Sequence, residues 1–242
     1  MKFGTLDIEK AYLGSTELDK IYLGSTEVYE KGGSSGGGID ANTIALFHFD
    51  NSTADSGYYA STSTVSASSY NFSENGKFSQ ALDGGQIQCT NSSTSWSTAS
   101  NTLTLDYWLY ANDTSTQTAH YIILYLGGSN TPFSVNFYRY SGSYYGNIQY
   151  AGNFIVDAQM NAINHGAWNH IAVELSSSKM DLFINGTKIG SYTTNIPPMP
   201  LAVQMLYIYG IQPQLFDEVR LSNTLRYNGN FTPPTGPYTQ EQ

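Results

Sequence analysis

A chain of 242 residues that is 40 % hydrophobic can bury one sizeable core, and its 12 % charge beside 20 tyrosines and 23 glycines speaks against a helical bundle. A formal net charge of −9, with Arg139, Arg220 and Arg226 as the only arginines and no cluster of cations, excludes nucleic acid and anionic membranes as partners. Cys89 stands alone, which excludes an internal disulfide and a thiolate zinc site.

The first thirty residues repeat with a ten-residue period: MKFGTLDIEK, AYLGSTELDK, IYLGSTEVYE. Gly4, Gly14 and Gly24 each follow an apolar residue and precede an acid three places on (Asp7, Glu17, Glu27). Short apolar stretches around a Gly-Ser/Thr turn predict strand, reversal and strand. An arm this short cannot bury much surface, because chains below ~40 residues usually need a metal, disulfides or oligomerisation to fold. It holds no cysteine or histidine, so a partner surface or copies of itself remain, and residues 1–31 are expected to attach or oligomerise; a vestigial repeat is the alternative. No apolar leader opens the chain and nothing approaches ~18 consecutive apolar residues, so a soluble protein made in a cytoplasm is expected. Asn51 and Asn185 head Asn-X-Ser/Thr triplets, which then read as ordinary polar turns.

Residues 32–38 are a glycine–serine linker. It matches the serine-hydrolase pattern G-x-S-x-G, but an elbow requires a strand before it and a helix after it. From residue 39 to 242 the pattern is β throughout. Leu103, Leu105, Tyr107 and Leu109 alternate with Thr104, Asp106, Trp108 and Tyr110, and Ile171, Val173 and Leu175 alternate with His170, Ala172 and Glu174. Met180, Leu182 and Ile184 lead into Asn185-Gly186, the strongest short hairpin signal. Runs at 45–49, 121–126, 134–140, 206–209 and 216–221 bring the count to roughly ten strands, with no sustained helical period. The predicted class is all-β: a two-sheet antiparallel jelly-roll sandwich with a small N-terminal β-repeat arm.

Six segments, in order, carry a family resemblance. They are TIALFHFD at 43–50 with Asp55-Ser-Gly57, GKFSQALDG at 76–84, LTLDYWL at 103–109, WNHIAV at 168–173, LFING at 182–186 and FDEVRLS at 216–222, with a close running from Arg226-Tyr to Pro233-Pro234. Over about residues 40–238 the chain resembles the laminin-G-like branch of the concanavalin A-like lectin/glucanase superfamily. The arm is similar to N-terminal segments of bacteriophage virion fibres and appendages, often trimeric. Together these resemblances imply a virion structural protein, assembled in a bacterial cytoplasm, as a homotrimer docked on other virion proteins. Its sandwich is expected to bind host surface polysaccharide. A decoration protein without ligand and a free carbohydrate-binding module remain alternatives.

Glucanases on this fold carry E-x-D-x-E or a close variant on one strand, which alternation places on one face. No such triplet occurs. Asp217 and Glu218 are adjacent and would point to opposite faces, one inward and one exposed, while His48, His120, His165 and His170 lack metal-ligand spacing. The chain is therefore expected not to be an enzyme. The resemblance implies a structural calcium near the loop after the first strand, with Asp50, Asp55 and Asp217 as ligands; Asp50 and Asp55 could instead cap turns. Candidate glycan contacts are Tyr138, Tyr140, Tyr144, Tyr145 and Tyr150, where tyrosine mixes with Ser, Gly and Asn, and Trp108, which faces away from the Leu103/Leu105 set. A plain hairpin competes for the tyrosines, and packing beneath the arm or a loop competes for Trp108.

Overall fold

The computed structural model describes residues 12–13, 16–17, 20–23, 26–30, 39–91, 101–112, 117–126, 131–198, 203–227 and 229–239. In the N-terminal region β1 (Tyr12–Leu13) pairs with β2 (Thr16–Glu17) and β3 (Lys20–Leu23) with β4 (Thr26–Glu30), both antiparallel. Leu13 faces Thr16 and Leu23 faces Thr26, as a repeating strand–reversal–strand unit requires. The Gly-Ser turns themselves and the linker at 32–38 lie outside the described residues.

The remaining strands are β5 (Thr43–Phe47), β6 (Ser63–Ser68), β7 (Asn71–Ser73), β8 (Ala81–Asn91), β9 (Thr102–Tyr110), β10 (Gln117–Leu126), β11 (Thr131–Tyr140), β12 (Ser143–Tyr150), β13 (Asn153–Gln159), β14 (Trp168–Ser176), β15 (Met180–Ile184), β16 (Thr187–Tyr192) and β17 (Val203–Ser222). Every pairing is antiparallel. One wall runs β6–β8–β17–β10–β11–β12–β13, the other β5–β17–β9–β14–β15–β16. The predicted runs at 206–209 and 216–221 are thus two halves of one strand. β17 pairs with β10 and β8 up to Gly210, breaks register, and from Leu215 onward pairs with β9 and β5 while β8 stays beside it through Phe216, so the sandwich closes toward a barrel along that edge.

Period-2 alternation fills the space between the walls. The first contributes Ile87, Cys89, Ile122, Leu124, Phe133, Val135, Phe137, Ile148, Leu206 and Ile208; the second contributes Leu103, Leu105, Tyr107, Ile171, Val173, Leu182, Val219 and Leu221. All are buried. Burial also holds the Cys89 thiol up at about 12, so it is an inert core group. Turn chemistry sets the registers. Asn185 (φ 51°) and Gly186 (φ 76°) close β15–β16 as a two-residue loop with both central residues left-handed, as do Ser141 (φ 49°) and Gly142 (φ 86°) for β11–β12.

Candidate functional site

The outer faces of the two walls differ. In β9 and β14 not only the core-facing residues but also their alternates are buried. The cover is residues 223–239, which return over the second wall. Gly186 is needed there, because a Cβ at that position would stand 1.9 Å from the Phe231 carbonyl oxygen. Tyr227 and Phe231 stack 3.6 Å apart and, with Ala172 and Phe183, form a second apolar cluster. Beneath them the Arg220 guanidinium donates to both Asp106 carboxylate oxygens (Nε–Oδ1 3.0 Å, Nη2–Oδ2 2.7 Å). Tyr227 and Tyr238 hydroxyls donate to Asp106 Oδ2 at 2.5 and 2.6 Å. Burial opposes ionisation of Asp106, but Arg220 outweighs it and holds the carboxyl below its ordinary value. The neighbouring His170 is driven down to about 4, chiefly by burial, and is neutral.

The same segment is tied at its ends. Arg226 grips Asp40 bidentately (3.0 and 2.6 Å), the Tyr227 amide donates to Glu174 Oε1 at 2.7 Å, and the Tyr238 amide donates to Glu218 Oε2 at 2.8 Å. Burial raises Glu174 to about 7.

Two expectations need correction here. Asp217 and Glu218 do not split between core and solvent; both are 1 % exposed. Glu218 takes φ 50° where β17 loses register with β9, and this bulge spares either carboxylate from facing water. Glu218 Oε1 meets His48 Nδ1 at 2.6 Å, while Asp217 Oδ2 accepts from the amides of Lys77 (2.7 Å) and Phe78 (3.2 Å). Trp108 is no groove residue either. At 5 % exposure it packs edge-on to Phe78 and His170, with Lys77 Nζ 4.1 Å above its ring. The packing beneath a loop is what occurs, and the loop is 76–80.

The calcium expectation fares no better. Asp55 Oδ1 accepts from the amides of Leu46 (3.0 Å) and Gly57 (2.8 Å), the turn-capping role. Asp50 Oδ1 accepts from the Gln80 amide at 3.1 Å. One oxygen each of Asp55 and Asp217 is buried without a partner. Yet among the described residues no three His, Cys, Asp or Glu side chains gather as a metal site, and calcium needs six to eight oxygens. Asp50, Asp55 and Asp217 therefore do not converge as one side-chain ligand set among the described residues. Burial, with the charges of Glu218 and Asp50, instead raises Asp217 to about 7, so a proton can occupy the free oxygen.

The first wall's outer face is open. Tyr144 is not part of it: that residue is 1 % exposed in the core, its hydroxyl donating to the Asn112 carbonyl at 2.9 Å. Tyr150 packs at the core margin. Tyr138 and Tyr145 do share the outer face, stacked 5.4 Å apart across β11–β12, and Tyr140 is 56 % exposed beside the turn. These lie on strands joined by a tight turn, so the plain hairpin is the local structure. Sequence reasoning missed the rest of the face. Tyr121 and Tyr209 are register partners with rings 6.0 Å apart; the Tyr207 and Tyr209 rings lie 6.4 Å apart with planes only 10° from parallel. With Gln86 and Ile123 they line a shallow cavity of about 280 Å³. Amides continue the row: Asn136 is opposite Tyr121 and Asn147 opposite Asn136, with Gln149 donating to Asn147 at 2.5 Å. The signal was present in YIILYL and LYIYG, whose tyrosines occupy the positions that alternate with the core.

Known structures share this architecture. The binding domain of botulinum neurotoxin DC, solved in complex with rat synaptotagmin II, superposes with a TM-score of 0.55 at 15 % identity, over 77 % of this chain and 49 % of that one. The serotype D ligand-binding domain, solved with N-acetylneuraminic acid, gives 0.56 at 11 % identity over 77 % and 48 %. The chain therefore spans about half the length of these domains, and at such identity the likeness is one of fold. Among curated protein sequences none matches. The sequence profile described as Concanavalin A-like lectin/glucanases superfamily matches residues 82–226, well over half of the chain and the stretch that supplies most of both walls, and the chain belongs to that superfamily.

Proposed function

We propose that this protein is a non-catalytic adhesin of a bacteriophage virion, whose sandwich binds host surface polysaccharide on the open outer face of its first wall. The observation that carries the reading is the open tyrosine surface, with Tyr207 and Tyr209 near-parallel and Tyr121 tilted 34° to Tyr209, running into Asn136, Asn147 and Gln149. Sugar rings present apolar C–H faces to aromatic rings and hydroxyls to amides, and tyrosine offers both with little rotamer entropy to lose. Catalysis finds no support. The buried carboxylates Asp106, Glu174, Asp217 and Glu218 each hold a tail, loop or guanidinium partner beneath cover.

The virion part of the reading rests on the arm. Its decapeptide units resemble those of phage appendages, and the β1–β2 and β3–β4 pairs are too small to be stable without a partner. Residues 1–31 then join three copies and dock them on the particle, leaving the sandwiches outward.

Two experiments test this. On an array of bacterial surface polysaccharides the intact protein binds at least one, and Tyr207→Ala/Tyr209→Ala lowers that binding at least ~10-fold, the equivalent of ~1.4 kcal/mol, with an unchanged melting temperature. Silence across the array leaves a decoration protein in its place. Deleting residues 1–31 turns a trimer into a folded monomer in light scattering and abolishes incorporation into particles; a truncated chain that stays trimeric refutes the role given to the arm.

A further inference from the structure

Any pull on residues 1–31 reaches the sandwich through Ile39, because the chain is continuous there. The Ile39 amide donates to the Thr239 carbonyl at 2.8 Å, and the next residue, Asp40, is gripped by Arg226. That single guanidinium ties three pieces of chain together. Besides the two bonds to Asp40, its Nη2 donates to Thr43 Oγ1 at 2.9 Å, where β5 begins, and its Nε donates to Ser222 Oγ at 3.0 Å, where β17 ends. The Arg226 side chain is 6 % exposed and that of Asp40 29 %, so the bidentate, charge-assisted pair is partly shielded from water. A backbone bond from the Asn223 amide to the Asn42 carbonyl, at 3.0 Å, closes the same corner.

We infer that this corner is a load-bearing clasp, which resists a force drawn between the N-terminal arm and the tyrosine face. β5 runs antiparallel to β17, with Thr43 opposite Ser222 and Phe47 opposite Val219, so the start of β5 lies at the end of β17. Tyr207 and Tyr209 sit on the other half of β17, before its register break. A force between them and Ile39 therefore draws β5 along its own axis. Ladder hydrogen bonds lie across the strands, so a pull along the axis strains them together. A pull across the strands would instead open them one at a time from the end. All five residues of β5 are buried, so sliding it also brings Ile44, Ala45, Leu46 and Phe47 toward water. Arg226 sits where the load enters, and β5 cannot slide past Ser222 while one guanidinium holds Asp40, Thr43 and Ser222.

The adhesive reading above supplies the load, while the clasp itself rests on β5, β17 and Arg226. The full-length protein is held at constant force in optical tweezers by its N-terminus and by Gln204→Cys, an exposed position at the start of β17. A second geometry uses handles at the two chain ends, which draws Ile39 and Thr239 directly apart. At equal force the first extension step should come at least ~10-fold later in the Gln204 geometry, since forced opening follows the unfolding rate. Asp40→Ala, at a partly exposed position that keeps the fold, should shorten that lifetime at least ~10-fold, and more than it speeds unfolding in urea extrapolated to zero denaturant. Arg226→Met should do the same. Equal lifetimes in the two geometries, or an Asp40→Ala lifetime that falls no more than its zero-force unfolding rate rises, overturn the clasp. No ligand enters the measurement, so a silent polysaccharide array would leave the clasp standing, and a failed clasp would leave polysaccharide binding untouched.

Discussion

The two outer faces of the sandwich carry the same kinds of side chain and use them in opposite ways. On the second wall, tyrosines 227 and 238 donate their hydroxyls inward to Asp106, and the ion pair with Arg220 is 0 % exposed on both sides. On the first wall, Tyr121, Tyr207 and Tyr209 stay partly exposed beside amides. The difference comes from the return of residues 223–239, which cover one sheet and not the other. Aromatic content therefore does not mark a binding face; uncovered aromatic content does.

Breaking the sealed face has the largest expected effect. Asp106→Ala leaves Arg220 buried without its partner and should cost ~3–5 kcal/mol in urea unfolding. Asp106→Leu combined with Arg220→Met removes both charges and should regain most of that loss. A single variant that loses under ~1 kcal/mol would mean that the charges are solvated and the cover is open. Gly186→Ala comes next. Its φ of 76° disfavours a side chain, and the new Cβ would strike the Phe231 carbonyl. A loss of ~1–3 kcal/mol is expected, with faster proteolysis after residue 222 while the sandwich stays folded. Neither variant should touch the polysaccharide binding proposed for the other wall.

Most of the sandwich was legible from alternation, because a strand buried on one face writes period 2 into its sequence. Strands β9, β14 and β15 and the Asn185-Gly186 turn are where residues 103–110, 170–175 and 180–186 placed them. What was not legible depends on long-range cover. Asp106, His170 and Glu174 sit at the polar positions of the pattern, and the tail, about 50 to 130 positions away, makes them interior. The bulge at Glu218 has no local signature either, so two adjacent acids looked like an in–out pair. Alternation turns Trp108 away from the Leu103/Leu105 set and the Ser, Gly and Asn around Tyr144 suggest a recognition loop, but neither signal says what covers the residue. The burial of the two is set by the 76–80 loop and by Gln214, which donates to the Tyr144 hydroxyl at 3.2 Å. The tyrosines at 121, 207 and 209 failed to stand out because a core residue separates 207 from 209 and 121 lies on another strand, so only sheet pairing gathers them.

The smallest effect sharpens the comparison through pH, since the groups with raised values serve the covered side. Asp217 and Glu174 both reach about 7 from ordinary carboxylate values, mainly through burial. His48 is raised by its hydrogen bond to Glu218, against the opposing pull of burial. In each case the folded state holds the proton more tightly than the unfolded chain, so the stabilisation is present at lower pH and is lost as pH rises through the folded value. His170 acts the other way, but its folded value of about 4 confines most of its influence to the range below about 6.5, where the unfolded imidazole takes up its proton. Asp40 and Asp181, each lowered to about 2, matter only below about 4. Between about pH 6.5 and 8, among the described groups with a shifted value, the three raised ones outweigh His170, whose unfolded imidazole is losing the last of its proton, and stability should fall by ~1–2 kcal/mol. Urea midpoints taken across that range check this. Asp217→Asn should flatten the slope, because the buried position then carries no proton to lose; a midpoint that climbs with pH would show that these carboxyls are solvated and that the loop and tail do not cover them.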